Sequence, residues 1–502
     1  MPDAHHLRQL EKAETAAEHD CRVLVSSAFR QRNIEQEVCD AQEILRAHLS
    51  ERVNHYSALD WLFYLRSPSI RYLLAWLNDG LETAHHAEFF SSNSTKAFTD
   101  SERCGRGIRP LLNQQRFRRI AQFVGESFVW RQLHVFSSLL AMDIELVLTG
   151  NPPFPQRLTT PEQEKTLKLY NDRVYTRPMI LVSGGGIATT TGETDTEDTT
   201  FVCVGTSGAQ GFQVGPLGLA KFRDVFSLRI IKPDFLQGLG DLLLALKVGY
   251  IAARNAGLRD QLDRYGMICI ESKLVPSLID QADPIARSIS TLIPSWNYGS
   301  GGAVLARLSH LGREVEFAPP LRTVGEWCAW DLFAASSLLD ELLFRSMEKM
   351  SGKRGPVFED DAQALIDRTR WAPSSEMRSW KGRKLKVGER ILTDIDAIGC
   401  HDGRLLLVEC KSIYYGLAHG SAAKGEIRNA REKVEQAARR CSQPELVLAT
   451  NLDLKGFAEI IRVVLTPAPV YVAAEYAERR TTGFPMSLSY WELYHLLYNS
   501  ER

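Results

Sequence analysis

Several motifs that would assign a chain of this length to a common enzyme class are missing. The 502 residues contain no G-x-x-x-x-G-K-[ST] motif, so we do not expect ATP to be bound through a P-loop. The nine cysteines are scattered and form no C-x-x-C pair, which argues against a zinc ribbon and favours a reducing compartment. No signal peptide opens the chain, and we expect a cytoplasmic protein.

Long apolar runs without charge are also missing. The most apolar stretch, 235–253, contains Asp241 and Lys247, which predicts a buried helix rather than a membrane span. Hydrophobic residues make up 44% of the chain and charged residues 24%, as in a folded soluble protein. The length corresponds to about three domains.

The alternation of helical and strand-like patterns predicts a multidomain α/β fold. We expect a helical domain at 1–150, a Pro-rich hinge with a connecting helix at 151–175, a mixed α/β domain of unknown function at 176–340, a further α/β domain at 341–475 and a helical extension at 476–502. Within these, helices are predicted at 7–52, 56–66, 69–82, 126–148 and 234–256, and strands at 178–184, 200–206, 226–232 and 267–271.

Three weaker patterns are open to two interpretations. His85-His86-Ala87-Glu88 could hold a metal, but an exposed helix end is the favoured interpretation. The Gly- and Thr-rich segment 184–200 could cradle a phosphate, although a mobile connector is favoured because no helix follows it. The segment 297–308 resembles a Gly-rich turn into a helix, but it follows no clear strand, as a nucleotide site would require.

The strongest pattern lies in 390–412, where two apolar strand-like segments carry charges. Asp402-Gly403 separates them, and this dipeptide is the most favoured at the centre of a type I′ hairpin turn. In such a hairpin Asp396 lies opposite Glu409, Asp394 lies opposite Lys411, and all four side chains project from one face. Opposed carboxylates repel unless a cation lies between them, so the pattern predicts a divalent metal site.

This arrangement resembles the PD-(D/E)XK, or restriction-endonuclease-like, nuclease superfamily. Its signature is an Asp on one strand followed by Glu-x-Lys on the next, here Asp396 and Glu409-Cys410-Lys411. The resemblance covers about 350–470 and departs from the family in having no Pro before Asp396. It implies a core of helix, three strands, helix and strand, with the first strand somewhere in 383–390.

The resemblance also implies the chemistry. Asp396 and Glu409 would hold Mg²⁺ or Mn²⁺, with the backbone carbonyl of Cys410 as a third ligand. Lys411 would orient or deprotonate the attacking water. Alternation directs the Cys410 thiol to the opposite face, where it fills the core. Asp394 is either an additional acid near the metal or an ion-pair partner of Lys411, and the second is slightly favoured.

Two predicted helices flank the hairpin. In 355–370, Glu359 matches a Glu that superfamily members often carry in a G-x-x-F-E setting, and a simple first-turn acid is an equal alternative. The helix at 424–441 has an apolar stripe and a polar face; the stripe is Ile427, Ala430, Val434, Ala437 and Cys441, and the face is Asn429, Lys433, Gln436 and Arg440. Relatives often place a Gln or Lys of this helix beside the metal, which makes Gln436 a candidate and Lys433 a weaker one. A solvated face is the alternative.

Positive charge concentrates around the hairpin. Residues 368–440 contain 16 Lys and Arg against 9 Asp and Glu, a net charge of +7, whereas the whole chain has −1. The segment 378–386 has five basic residues around Trp380. Phosphate contacts of this kind give affinity without sequence information, and an ordinary basic turn is the alternative. The candidate nucleic-acid-binding residues are Lys381, Arg383, Lys384, Lys433 and Arg440.

A second Glu-x-Lys triplet, Glu271 and Lys273, lacks an acidic strand partner, because Asp260 and Asp263 lie in a helix-like stretch. We therefore expect a metal-dependent DNA endonuclease at the later triplet, regulated by the remainder of the chain and by a protein partner or self-association. The resemblance suggests defence against phage or foreign DNA. The alternatives are a non-catalytic nucleic-acid-binding or assembly subunit, and an RNA or repair nuclease.

Overall fold

The computed structural model describes most of the chain. The described residues are 4–30, 33–67, 71, 80–94, 96, 101–104, 107–110, 113–175, 201–206, 211–217, 233–313, 317–345, 354–387, 389–413, 424–442, 454 and 456–499. The strands predicted at 178–184 and 226–232, the segment 184–200 and most of the helix predicted at 69–82 lie outside them.

The N-terminal region is a helical bundle with one small hairpin. Its helices are α1 (Ala4–Ser26), α2 (Ile34–Val53), α3 (Ala58–Leu65), α4 (Gly80–Ser92) and α5 (Gln114–Ala141), and its strands are β1 (Ser101–Cys104) and β2 (Gly107–Pro110). A Cβ atom at Gly125 would lie 2.3 Å from the carbonyl oxygen of Glu14, so only glycine permits the close approach of α1 and α5.

The helix predicted at 126–148 was misplaced. Helix α5 ends at Ala141 because Asp143 adopts a positive φ of 59° and the Ile144 N–H bonds the Leu139 carbonyl, which closes a Schellman-type cap. Strand β3 (Glu145–Thr149) follows and pairs antiparallel with β4 (Phe154–Leu158). The predicted hinge therefore begins in the turn of an ordered hairpin, and helix α6 (Pro161–Tyr175) comes after it.

The middle region is mixed α/β, and the strands at 200–206 and 267–271 and the helix at 234–256 are confirmed. Its elements are β5 (Phe201–Thr206), β6 (Phe212–Leu217), α7 (Pro233–Asn255), α8 (Arg259–Tyr265), β7 (Met267–Glu271), α9 (Val275–Asp280), α10 (Asp283–Leu292), α11 (Gly301–Leu308), β8 (Leu321–Val324), β9 (Trp327–Asp331) and α12 (Leu332–Arg345). The last three strands form an antiparallel sheet in the order β7, β9, β8.

Helix α7 is a core helix of this region. Its segment Phe235–Asn255 is long and apolar enough to cross a membrane, but 72% of the most apolar window is buried inside the protein. Buried Asp241 within it accepts hydrogen bonds from Arg307, at 2.7 Å, and from the Trp296 indole, at 3.0 Å. The charge in the apolar run is thus paired internally, as a buried carboxylate requires.

The C-terminal region is a four-stranded mixed sheet with helices. Its elements are α13 (Arg354–Asp367), α14 (Ser375–Arg378), β10 (Lys384–Val387), β11 (Arg390–Asp394), β12 (Ala397–His401), β13 (Arg404–Cys410), α15 (Lys424–Cys441), β14 (Glu459–Thr466), α16 (Ala474–Ala477), β15 (Ser487–Ser489) and α17 (Tyr490–Asn499). The sheet order is β12, β13, β14, β15; only the β12–β13 pair is antiparallel. The segment 476–502 is therefore not a purely helical extension, because β15 completes the sheet.

The three regions share buried surface. Apolar residues of α15 belong to one cluster with residues of α1, α2 and α5, including Val434, Leu45 and Phe123. Between the bundle and the middle region, buried Arg66 pairs with Glu88 at 2.7 Å and with Asp331 at 2.5 Å. A guanidinium in this position is tolerated because carboxylates surround it, and it ties the first region to the second.

Candidate active site

The predicted hairpin turn is confirmed, and so is the predicted register within strands β12 and β13. Asp402 and Gly403 both have positive φ, 48° and 70°, as a type I′ turn requires. The antiparallel pairs run from His401 with Arg404 to Ala397 with Val408. This tight reversal brings the segment before β12 next to the end of β13.

Beyond Ala397 the predicted pairing of Asp396 with Glu409 does not continue. Asp396 lies in a bend between β11 and β12, and its N–H bonds the carbonyl of Val408 at 2.9 Å. The reason is Ile395, which is buried in the same cluster as Ile398 and so breaks the alternation of the strand by one residue. The Asp396 carboxylate turns so that Oδ2 accepts a hydrogen bond of 2.6 Å from the Cys410 N–H.

Asp394 is also placed differently from the prediction. It lies at the end of β11, opposite Lys384 of β10, in a separate two-stranded sheet, and not opposite Lys411. The bend at Ile395 and Asp396 redirects the chain from one sheet to the other, which explains the difference. Strand β10 itself lies within the predicted range 383–390.

Asp396 is in an unusual electrostatic position. The pKa of its carboxyl is raised to about 7, mainly by burial and also by the nearby acids Glu359 and Glu409. The Cys410 N–H and Lys411 oppose this rise. A half-buried carboxyl with a raised pKa and two further acids nearby is a candidate ligand for a cation.

Glu409 is the most buried acid of the group, with only 2% of the residue exposed. Its Oε1 lies 2.6 Å from Lys411 Nζ and 2.6 Å from Arg440 Nη2. Its Oε2 accepts a longer contact of 3.7 Å from the Cys441 thiol. Sequence reasoning assigned Arg440 to nucleic acid alone, and its position on the polar face of α15 was the signal that could have placed it at Glu409.

Glu359 contributes to the same cluster from α13. Burial raises the pKa of its carboxyl, Asp360 and Asp394 raise it too, and Lys381 and Lys411 lower it. The electrostatic neighbours of Glu359 and Asp396 therefore overlap, and the structure brings together the predicted residues Glu359, Asp396, Glu409 and Lys411. Helix α13 holds Glu359 there, since buried Phe358 packs in the core beside it.

Among the described residues, the α15 candidates Gln436 and Lys433 form no hydrogen bond or ion pair with the three acids. Helix α15 spans the predicted residues, and its apolar stripe is buried as expected. Gln436 and Lys433 are both exposed, and Gln436 lies one helical turn before Arg440 on the same face. The Cys410 side chain packs with Leu406 and Val408, which confirms it as a core residue.

The basic segment before the hairpin is fixed beside Asp396. The Gly382 N–H bonds the Ile395 carbonyl at 2.7 Å, and the Ile395 N–H bonds the Arg383 carbonyl at 3.0 Å. Arg383 and Lys384 are exposed, and Lys381 forms an ion pair with Asp360 of α13. Positive side chains therefore flank the acidic cluster, as a polyanionic substrate would require.

The alternative sites are arranged differently. Glu271 lies opposite Trp327, and Lys273 pairs with Glu271 at 2.8 Å in a 3₁₀ turn, so this triplet has no acidic strand partner, as predicted. The interpretation of His85-His86-Ala87-Glu88 as an exposed helix end was wrong. Glu88 is buried on Arg66, and buried His86 stacks on His134, with 5.6 Å between ring centroids.

The acidic cluster fits Mg²⁺ or Mn²⁺ by its donor chemistry. Carboxylate oxygens are the ligands that these hard cations prefer, and one or two suffice because the ion keeps several waters. The pKa of Asp396 is raised, and a bound cation would lower it; Glu409 already contacts two cationic groups. No protein-family model, no curated protein and no solved structure matches this chain.

Proposed function

We propose that the protein is a metal-dependent nuclease that hydrolyses phosphodiester bonds of DNA at the cluster of Glu359, Asp396, Glu409 and Lys411. The observation that carries the proposal is that Asp396, at the bend before β12, has Glu359 of α13 and Glu409 and Lys411 at the end of β13 as its electrostatic neighbours. We also propose that the four-stranded sheet of the C-terminal region and its helices form the catalytic domain that the resemblance implies.

The divalent cation would be held by Asp396 and Glu409, with the Cys410 carbonyl as a further ligand. When bound, Mg²⁺ supplies an activated water and offsets the charge that develops on the phosphate oxygens. Glu359, in the same electrostatic neighbourhood, is suited to bind the waters that such an ion retains.

Lys411 has a defined part in this chemistry. Its Nζ is held 2.6 Å from Glu409 Oε1, so the ammonium lies beside the proposed metal ligand. Its backbone N–H bonds the Leu465 carbonyl at 2.8 Å, which fixes the residue just past the end of β13. An ammonium held in this way can orient the attacking water and stabilise negative charge on the phosphorane oxygens.

Substrate binding would use the basic segment. Arg383 and Lys384 lie on the segment that is hydrogen-bonded to Ile395, one residue from Asp396. They are suited to backbone phosphates, which fix the register of the duplex without reading sequence. Defence against foreign DNA, with the rest of the chain as a regulatory part, is proposed on the resemblance alone.

The test is a cleavage assay on the full chain with supercoiled plasmid, linear duplex, single-stranded DNA and RNA, each with Mg²⁺, Mn²⁺ or EDTA. Asp396→Ala and Lys411→Ala should abolish metal-dependent cleavage while circular dichroism stays unchanged. The matched control is the double variant Glu271→Gln with Lys273→Ala, which removes the other Glu-x-Lys triplet and should keep full activity. Binding without cleavage under every condition, or cleavage retained by Asp396→Ala with Lys411→Ala, would refute the assignment.

A further inference from the structure

A second group of ligand-type side chains lies in the helical bundle, away from the acidic cluster. Cys21 of α1, His48 of α2 and Glu126 of α5 place one ligand atom each within 4.8 Å of one another. Among the residues that the structure describes, this is the only set of three His, Cys, Asp or Glu groups that converges in this way.

The contacts of Glu126 leave one of its carboxylate oxygens available at the position where the three ligand atoms meet. The residue is 5% exposed, and its Oε1 is held by Arg52 Nη2 at 3.0 Å. Its Oε2 is buried and has no hydrogen-bond partner, with His48 Nε2 3.6 Å away. A buried carboxylate oxygen without a partner costs free energy, so a ligand for it is expected.

The spacing suits a tetrahedral ion. Bond lengths of about 2.0–2.1 Å to nitrogen and oxygen put these two ligand atoms about 3.4 Å apart in a tetrahedral zinc site. The observed 3.6 Å between His48 Nε2 and Glu126 Oε2 is close to this separation. Thiolate, imidazole and carboxylate together favour Zn²⁺ over Mg²⁺, which binds oxygen ligands.

The helices hold the three ligands in place and leave one side accessible. Gly125, next to Glu126, allows α5 to touch the backbone of Glu14 on α1, which fixes the separation of the helices that carry Glu126 and Cys21. His48 and Arg52 lie one turn apart on α2, and each side chain is 34% exposed. An ion can therefore enter past His48, and a water can fill the fourth position. Arg52 would orient the ligating carboxylate, as groups behind metal ligands commonly do.

We propose that Cys21, His48 and Glu126 form a zinc site that joins α1, α2 and α5, independent of the proposed nuclease centre. Binding converts the Cys21 thiol to a thiolate, and its proton passes to the solvent. Burial raises the pKa of this thiol in the metal-free protein, so each bound ion should release close to one proton at neutral pH.

The full chain, freed of metal, would be titrated with Co²⁺ and Zn²⁺ in an Asp396→Ala background, which keeps the acidic cluster out of the measurement. We expect one ion per chain, a thiolate-to-cobalt charge-transfer band and a higher unfolding midpoint with Zn²⁺. Cys21→Ser should remove the band and weaken Zn²⁺ binding by at least about 100-fold, and Arg52→Gln should weaken it about 10–100-fold.

The matched control is Cys39→Ser, since Cys39 is an exposed thiol on α2. It should leave the band and the affinity unchanged. Should Cys21→Ser fail to fold, His48→Ala at the accessible side must show the same loss of affinity. The proposal is overturned if the protein with Cys21, His48 and Glu126 intact shows no thiolate-to-cobalt band, or if Cys39→Ser loses the band and Cys21→Ser keeps it.

Discussion

Replacing Asp396 by Asn separates the free-energy cost of a buried negative charge in the metal-free protein from the proposed function of the carboxylate as a metal ligand. Burial raises the pKa of this carboxyl from 3.8 to about 7 in the folded protein. The folded state therefore keeps a proton that the unfolded chain loses, and stability falls as pH rises from about 4 to about 7. Because a difference of one in pKa corresponds to about 1.4 kcal/mol, the charged carboxylate costs at most about 4 kcal/mol above pH 7.

Asparagine removes the charge but keeps an oxygen that can accept the Cys410 N–H. Without metal, Asp396→Asn should be more stable than the wild type at pH 8 and equal to it near pH 4. Mg²⁺ at one hundred times the dissociation constant should shift the difference at pH 8 by about 2.7 kcal/mol in favour of the wild type, since only the wild type binds the ion through this carboxylate. The measurement is chemical denaturation at both pH values, in EDTA and in saturating Mg²⁺.

Asp402→Asn is the control for this experiment. It makes the same change of charge in the turn of the same hairpin, where the side chain is 80% exposed and Asn-Gly is also favoured. It should leave the response to Mg²⁺ unchanged and should not produce the gain in stability at pH 8, since the carboxylate it removes is exposed and contacts His401 at 3.0 Å. The reasoning fails if Asp396→Asn is the less stable protein in EDTA at pH 8, or if Mg²⁺ stabilises it as much as the wild type.

Three further predictions follow from the same contacts. Lys411→Ala should slow plasmid nicking about 10²–10⁴-fold at unchanged circular dichroism, and a smaller loss would deny Lys411 a part in the chemistry. Arg440→Gln removes one of the two cations that contact Glu409, so chemical denaturation in EDTA should show that the free energy of unfolding falls by about 1–3 kcal/mol. Titration of nicking activity with Mg²⁺ should show that the variant binds the ion more tightly. A weaker apparent affinity would contradict the idea that Arg440 competes with the metal. Replacing Arg383 and Lys384 by Gln should reduce the slope of log affinity against log salt by about 2, measured by fluorescence anisotropy of labelled DNA with the cleavage-deficient Asp396→Ala protein; an unchanged slope would remove both from the DNA path.

Local signals account for the parts of the fold that the sequence predicted well. Asp402-Gly403 specifies its turn because only residues that tolerate positive φ fit both positions, and the turn then sets the register of β12 and β13. Helix α15 was predicted over its full observed length because its apolar positions repeat with helical spacing. Both signals depend on residues only a few positions apart.

The differences arise where distant residues decide the structure. Alternation in β12 cannot reveal that Ile395 is buried in one cluster with Leu405, yet this burial accompanies the bend at Asp396 that moves Asp394 to another sheet. Strand β15 adds to β14 through only three residues, too few for a period-2 pattern. His86 was predicted to be exposed because a short polar segment does not indicate that a second helix covers it.

The influence of distant residues also explains why the sequence predicts Glu409 as a metal ligand but does not predict its ion pairs with Lys411 and Arg440. Its face of the strand follows from alternation, whereas its partner depends on where α15 crosses the sheet. A carboxylate this buried needs a compensating positive charge in every state of the protein, and Lys411 and Arg440 provide it in the absence of a metal. In the proposed mechanism, metal binding at Glu409 would then be an exchange of cations that releases the partly exposed guanidinium of Arg440 beside the metal site. Under the proposed function Arg440 would neutralise Glu409 before the ion binds and a substrate phosphate afterwards, so its predicted contact with nucleic acid is compatible with its observed contact with Glu409.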